Sequence, residues 1–501
     1  MMSAAKKHKA QPVHLWDFTM QAPTNLFVSL YAKRRYVSED NLLFWCFMLL
    51  FFLVLSCSDA PVEAIPTPET KTTISPPPTI EIDSIQKIIT DAAMQSDVGM
   101  NLLIELCDDI GPRLAGSDSY NQAAKWAEEK MPSLGLENVL QQPFTVRYWN
   151  RGEESLTMNT PRKEILNMLG LGMSIGTKAT GVTAPIVVVS SFEELEDTDV
   201  RNKIVVYNTP FAGYGKTVSY RTQGPTKAAE KGAVAALVRS VTSRSLSTPH
   251  TGSTRYKKDA KIPAAAITIE DAERFARYQN RGIPVEVTLY MEAQMEDDMP
   301  SSNVMGEIVG SSRPDEVVAI GCHLDSWDVG QGAQDDGAGC AIVLDAARII
   351  ASLDQKPQRT IRVVLFGNEE NGLAGARAYA KEYAEQHVAG VEADIGAGPP
   401  QHFRFKLPEG HAGLKEIQNL INQKLAHLPI SPLQEGYAGA DINPLVAKGV
   451  IGFGLGMDST DYWPIHHTHA DTIDKIDINN LRSNTAAMAN LAWILANTPN
   501  L

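Results

Sequence analysis

Nineteen consecutive residues, 321–339, read GCHLDSWDVGQGAQDDGAG and place one histidine and four aspartates among glycines. Carboxylates this close repel one another, and the stretch contains no lysine or arginine to offset them. It is therefore either a solvated turn or a cluster gathered around a cation. Three further segments bear on that choice. The run FGNEENG holds Asn368, Glu369 and Glu370, GVEAD holds Asp394, and YWPIHHTHADTID holds His466, His467 and His469. Each alone reads as a polar loop, but four such segments in an α/β chain favour the cation. Imidazole and carboxylate donors without thiolate suit zinc, with manganese or cobalt as substitutes. Two ions about 3.5–4 Å apart require a carboxylate that spans both. The acids crowd together because two cations offset their repulsion, and the glycines let the backbone turn sharply beside them.

The elements that must position these side chains are legible as well. EVVAIG is a buried strand ending at Cys322, His323 and Asp325, and GAGCAIVLDAARIIAS is the helix after it. TIRVVLFG is the next strand and ends at Asn368, Glu369 and Glu370; LAGARAYAKEYAE is the next helix. Asp394 follows the short apolar GVEAD segment, and the histidines follow the strand-like GVIGFGLG. Strands alternating with helices predict an α/β fold: a mostly parallel mixed sheet sandwiched by helices. In such a sheet ligands gather outside the carboxyl ends of the strands, which brings all four segments to one edge.

A different texture fills residues 163–293, where short apolar strands such as APIVVVS, KIVVYN, VAALVRS and VEVTLYM alternate with short helices. This reads as an inserted strand-rich unit, flanked by a catalytic unit of 83–162 plus 294–501. Its single histidine, His250, lies in a Ser/Thr/Gly-rich loop and is expected at the surface. Upstream, Lys33, Arg34 and Arg35 precede the apolar run LLFWCFMLLFFLVL, which is shorter than the about 20 residues of a membrane-spanning helix. Residues 1–57 thus read as a secretory signal ending in VLSCSD, similar to a bacterial lipobox, with Cys57 as the lipidated residue. Residues 58–82, rich in proline and threonine, form a tether. The chain is expected to be exported, either lipid-anchored at Cys57 or secreted, touching a membrane only through that anchor.

The 501 residues are 44% hydrophobic and 21% charged, as in ordinary globular proteins. A formal net charge of -14, from 59 acids and 45 bases, argues against a nucleic-acid partner. The five cysteines include no CxxC, so they suggest neither a disulfide framework nor a thiolate metal site, and Cys322 is expected as a small buried residue.

The order His323-x-Asp325, Asp335-Asp336-Gly, Glu369-Glu370, Asp394 and His467-Thr-x-x-Asp-Thr resembles the co-catalytic zinc exopeptidases of the leucyl aminopeptidase and glutamate carboxypeptidase type. HLDSWDVGQGAQDDG, GADI and HHTHADT are most similar to its carboxypeptidase Q branch. The resemblance spans most of the chain from about residue 85 and implies the zinc exopeptidase fold, with 163–293 as a protease-associated domain. It implies two zinc ions. His323 and Glu370 would be terminal ligands on different ions, Asp335 the bridging carboxylate, and Asp394 and His467 the remaining terminal ligands, with His466 the alternative to His467. Asp325 would accept the other N–H of His323, the Asp335–Asp336 peptide would be cis, and His466 would donate to an oxyanion.

Adjacent residues at a strand end point in different directions, so Glu369 cannot bind metal as Glu370 does and is free to act as general base on water. The resemblance further implies an exopeptidase acting on dipeptides or small peptides, and a homodimer. Aminopeptidase action, or a non-hydrolytic receptor on the same scaffold, is the alternative; such receptors are expected to have lost ligands, whereas every ligand position here is occupied. GYAGAD at 436–441 reads as a pocket loop, with Asp441 as a contact for a substrate amino group, and no arginine cluster marks a site for a substrate carboxylate.

Overall fold

The computed structural model describes residues 84–408, 414–499 and 501. The signal at 1–57 and the tether at 58–82 lie outside them. Among the described residues no helix is long and apolar enough to cross a membrane.

In chain order the strands are β1 (Glu137–Asn150), then β2 (Glu154–Thr160), β3 (Glu164–Leu166), β4 (Met168–Gly170), β5 (Val182–Val189), β6 (Ile204–Tyr207), β7 (Ala235–Arg239), β8 (Ala264–Ile267) and β9 (Glu286–Met291). The chain continues through β10 (Gln294–Ile308), β11 (Arg313–His323), β12 (Arg359–Phe366), β13 (His387–Glu392), β14 (Pro400–Lys406), β15 (Gln434–Glu435) and β16 (Ile451–Met457). One eight-stranded sheet has the order β1-β10-β12-β11-β13-β16-β14-β15. Its central strands β12, β11, β13 and β16 are parallel, while β1, β10 and β14 pair antiparallel toward the edges.

The central strands are there because they can be buried on both faces. Every residue of β12 is buried, and so is β11 from Val317 to His323. Alternate side chains enter different layers. Val318, Ile320, Ile361 and Val363 pack with residues of α1 (Ser84–Met94), α2 (Asp118–Lys130), α3 (Ala338–Ala351) and α5 (Ile478–Asn497). Ala319, Val364 and Phe366 pack with Ala376 and Tyr379 of α4 (Ala374–Tyr383) and with Ile442 and Leu445. Each large apolar side chain so buried contributes about 1.5–3 kcal/mol. The chain passes from β11 through α3 to β12 on one side, then through α4 to β13 on the other. That reversal opens a crevice at the carboxyl end of β11.

The second sheet runs β3-β2-β9-β5-β6-β7-β8-β4 and is assembled from residues 154–291. Its strands β5 to β8 are parallel, and its core joins Trp327 and Val329 from the loop after β11 to Leu156, Leu237 and Leu289. The strand-rich unit therefore packs directly on the loop that contains the aspartate cluster.

Candidate active site

His323 ends β11 and pairs in register with Phe366 at the end of β12. Glu369 and Glu370 lie just beyond β12, Asp394 just beyond β13, and His467 in the turns after β16. These separated segments converge at one carboxylate. Asp335 Oδ1 is 3.2 Å from His323 Nε2, and Asp335 Oδ2 is 3.2 Å from His467 Nε2. His323 Nε2 is also 3.2 Å from Asp394 Oδ1, and His467 Nε2 is 3.1 Å from Glu370 Oε2. Two donor groups result, His323/Asp394 and His467/Glu370, with one oxygen of Asp335 turned to each.

The donor chemistry fits a cation in each group. His323 Nδ1 lies 2.8 Å from the Asp325 carbonyl and donates its proton there, which leaves the Nε2 lone pair facing two carboxylate oxygens. Only a proton or a metal ion satisfies that contact. Ligands on a common tetrahedral ion with bonds of about 2.0–2.1 Å sit about 3.3 Å apart, close to the separations here. The ligating atoms of His323, Asp335 and Glu370 lie within 4.8 Å of one another, as do those of His323, Asp336 and Asp394. Asp336 is nevertheless committed elsewhere: Oδ2 accepts from His323 N at 3.2 Å and Oδ1 from Gly339 N at 3.1 Å. Glu370 Oε1 is buried without a hydrogen-bond partner.

The ionisation of the cluster has the same cause. Burial would lower His323, but Asp335 and Asp394 hold it well above its ordinary value; Glu370 and Asp335 do the same for His467. Burial would raise Asp335, yet the two imidazoles hold it well below the usual carboxylate range. Glu370 is pushed up to about 7 by burial and then by Asp335. Burial, then Asp394, raises Glu369 well above its ordinary value, and its carboxylate makes no hydrogen bond among the described residues.

Buried groups fix this arrangement. The fully buried Asp325 carboxylate accepts from Glu369 N at 3.1 Å and Glu370 N at 3.3 Å. The sequence suggested that this carboxylate would orient His323, but its Oδ1 is 3.8 Å from Nδ1 and the Asp325 backbone carbonyl takes the proton instead. Asp471 accepts from the backbone N–H groups of Gln334 and Asp335. Arg113, also fully buried, donates to the carbonyls of Gly111, Leu324, Gln331 and Gly332, and so staples the aspartate loop. The Asp335–Asp336 peptide is cis. At Gly330, φ is +71°, and a side chain would meet the Thr468 carbonyl at 2.5 Å. Asn368 and His467 hold φ of 71° and 61°, costly for residues other than glycine and sustained only by such surroundings.

The second sheet contributes directly. Thr251 N donates to His467 O at 3.0 Å, and His467 Nδ1 faces the Thr251 carbonyl at 3.3 Å. Arg221 donates to that same carbonyl, and Ser253 Oγ donates to Glu370 O. Arg151 makes a two-pronged pair with Asp328 at 2.6 and 2.7 Å. His250, expected at the surface, is buried against His466, with ring centroids 5.7 Å apart. Its polar loop folds inward between the sheets, where Ser240 Oγ accepts from His250 N.

His466 packs between Tyr462 and Trp463, and burial keeps it neutral. Its Nδ1 faces the Trp463 carbonyl at 3.3 Å, and its Nε2 is buried without a hydrogen-bond partner among the described residues. The sequence assigned no role to Arg113, Arg221 or Thr251, because single residues that act through backbone carbonyls leave no motif.

Residues 303–492 match the model of peptidase family M28, and residues 182–275 match the PA domain. Carboxypeptidase Q of Mus musculus is 41% identical over 402 residues, covering 78% of this chain and 84% of that protein. Carboxypeptidase Q of Homo sapiens is 40% identical over 398 residues, with the same coverage of each. The crystal structure of a peptidase M28 precursor from Shewanella amazonensis superposes with a TM-score of 0.80 at 37% identity, covering 83% of this chain and 96% of that one. A parallel-centred sheet with metal-type donors at its switch point, a PA domain packed on the donor loop, and these likenesses together make the chain a zinc metallo-exopeptidase that belongs to peptidase family M28, close to carboxypeptidase Q.

Proposed function

We propose that the chain hydrolyses dipeptides or small peptides as a carboxypeptidase Q-like exopeptidase holding two zinc ions. The observation that carries this reading is the division of Asp335, one oxygen toward His323 and the other toward His467. On it, His323, Asp394 and Asp335 Oδ1 would hold one ion, and His467, Glu370 and Asp335 Oδ2 the other. Bound zinc supplies Lewis acidity, which polarises a carbonyl and makes water a better nucleophile near neutral pH.

Glu369 takes the proton from the attacking water and delivers it to the leaving amine. Two features support this role: its carboxylate is unengaged among the described residues, and its backbone is fixed by Asp325. Asp325 and Asp336 orient the backbone around Glu369, Glu370 and His323. Burial of the cluster excludes bulk water and strengthens its electrostatics.

Glu369→Gln tests the assignment. Turnover of a dipeptide panel should fall by about 100-fold or more, with zinc content per chain unchanged from wild type. Loss of zinc from the variant, or retention of activity, rejects the role.

A further inference from the structure

A cavity of about 140 Å³ adjoins the metal-type donors, lined by Glu392 and Asp394, by Arg404, by Tyr437 to Gly439, and by Gly454 to Met457 and Trp463. Its floor is a row across three neighbouring strands. Glu392 on β13 pairs with Gly454 on β16, and Gly454 pairs with Arg404 on β14. Residues paired this way present their side chains on one face, so Glu392 and Arg404 stand on the same face, two strand spacings or about 10 Å apart. Gly454 leaves the middle of the row bare.

The loop 436–439 roofs this row residue by residue. A side chain at Gly436 would meet Arg404 Cδ at 3.2 Å, one at Gly454 would meet the Ala438 carbonyl at 2.4 Å, and one at Gly439 would meet Glu392 at 2.2 Å. Asp441, expected as a substrate contact, is instead fully buried and does not line the cavity.

The cavity is polarised. Asp394 and Glu392 occupy the end toward the ion site, and Glu392 Oε2 is tied to Ile442 N at 2.7 Å. Arg404 occupies the other end, exposed, with no hydrogen bond or ion pair from its guanidinium among the described residues. An unpaired guanidinium beside a cavity is a fork for a carboxylate. The volume is close to that of a cavity of about 150 Å³ that accepts benzene, so it holds one residue rather than an extended peptide. A free carboxylate on the residue after the scissile bond lies one residue length, about 3.5 Å, beyond that bond.

We propose that Arg404 is the residue that selects a substrate's free terminal carboxylate, seating the leaving amino acid between Asp394 and the loop 436–439. The inference rests on the peptidase reading above and adds the residue that reads the substrate's carboxyl end.

The test compares a dipeptide with its C-terminal amide in the zinc-loaded wild type, Arg404→Gln and Arg404→Lys, with thermal melts as a folding control. In wild type kcat/KM favours the free acid. In Arg404→Gln the acid-to-amide ratio of kcat/KM falls by about 10- to 100-fold, the range expected for losing a charge-assisted hydrogen bond, and Arg404→Lys restores part of it. A ratio unchanged in Arg404→Gln, an equal loss on acid and amide, or a wild type indifferent to amidation overturns the assignment while leaving the peptidase intact. A wild type that cleaves neither compound overturns the peptidase reading, and this inference with it.

Discussion

Asp325→Asn tests whether the metal cluster is held by the hydrogen bonds seen around it. The substitution keeps the shape of a fully buried side chain, so it opens no cavity. It changes only the acceptor. The carboxylate receives two backbone N–H groups, at 3.1 Å from Glu369 and 3.3 Å from Glu370. An asparagine can accept one of them with its carbonyl, but its amide then turns donors toward the other. A charge-assisted bond is worth about 1.5–3 kcal/mol, and a buried N–H left unpaired costs about 1–3 kcal/mol more. The expected destabilisation of the metal-free protein is therefore about 3 kcal/mol, read as a lowered urea midpoint at constant slope. Glu369 and Glu370 shift together, so zinc affinity measured by chelator competition should fall about 10- to 100-fold, and kcat/KM at saturating zinc should fall as well. Wild-type zinc affinity together with wild-type kcat/KM would refute the view that Asp325 positions both glutamates through their backbone.

Two other measurements bear on the cluster and on its scaffold. In the metal-free protein the surrounding carboxylates, against the effect of burial, hold His323 and His467 well above their ordinary value; zinc loading should therefore release protons, read by calorimetry in buffers of different ionisation enthalpy. Release of fewer than one would contradict the ion-paired imidazoles. Far from the site, His387 is buried between the Tyr379 hydroxyl and the Tyr383 carbonyl, and burial lowers it to about 4. Its unfolded value is near 6.5, so the unfolded chain binds this proton first as pH falls. Its contribution is then full above pH 6.5 and is lost between about 6.5 and 4, amounting to about 3 kcal/mol. In His387→Gln the acid side of the stability profile should flatten over that window; an unchanged slope would refute the buried neutral imidazole.

The residues that converge at the site were legible because each comes after a strand whose burial is visible as an apolar run. β12 is buried throughout, and its sequence TIRVVLF reads as a strand covered on both faces. The residues just beyond such a strand lie at the sheet's edge by geometry alone. Arg404 was not legible for the opposite reason. It alternates with buried Phe403 and Phe405 on a strand near the sheet edge, as any solvent-facing arginine does, and only the register through Gly454 sets it beside Glu392. Arg113 and Thr251 were hidden because their partners are backbone carbonyls and amides far along the chain, which leave no side-chain pattern. His250 misled because a Ser/Thr/Gly-rich loop usually faces water. Here the loop faces a second sheet, a circumstance that local composition does not encode.

The two donor groups that meet at Asp335 differ in how they are assembled. His323 and Asp394 are set by the ends of β11 and β13 within the first sheet, and Asp335 lies just before α3. His467 instead sits in turns after β16 with φ at 61°, a conformation that costs a histidine about 1–2 kcal/mol and does not persist unaided. The second sheet supplies the support: Thr251 holds its carbonyl, the Thr251 carbonyl faces its Nδ1, and Arg221 braces that carbonyl. Ser253 from the same loop holds the Glu370 carbonyl. Both terminal donors of one group thus lean on the strand-rich unit, whereas those of the other group do not. The PA domain is accordingly part of the scaffold of this donor cluster, and the His467/Glu370 group depends on two sheets folding against each other.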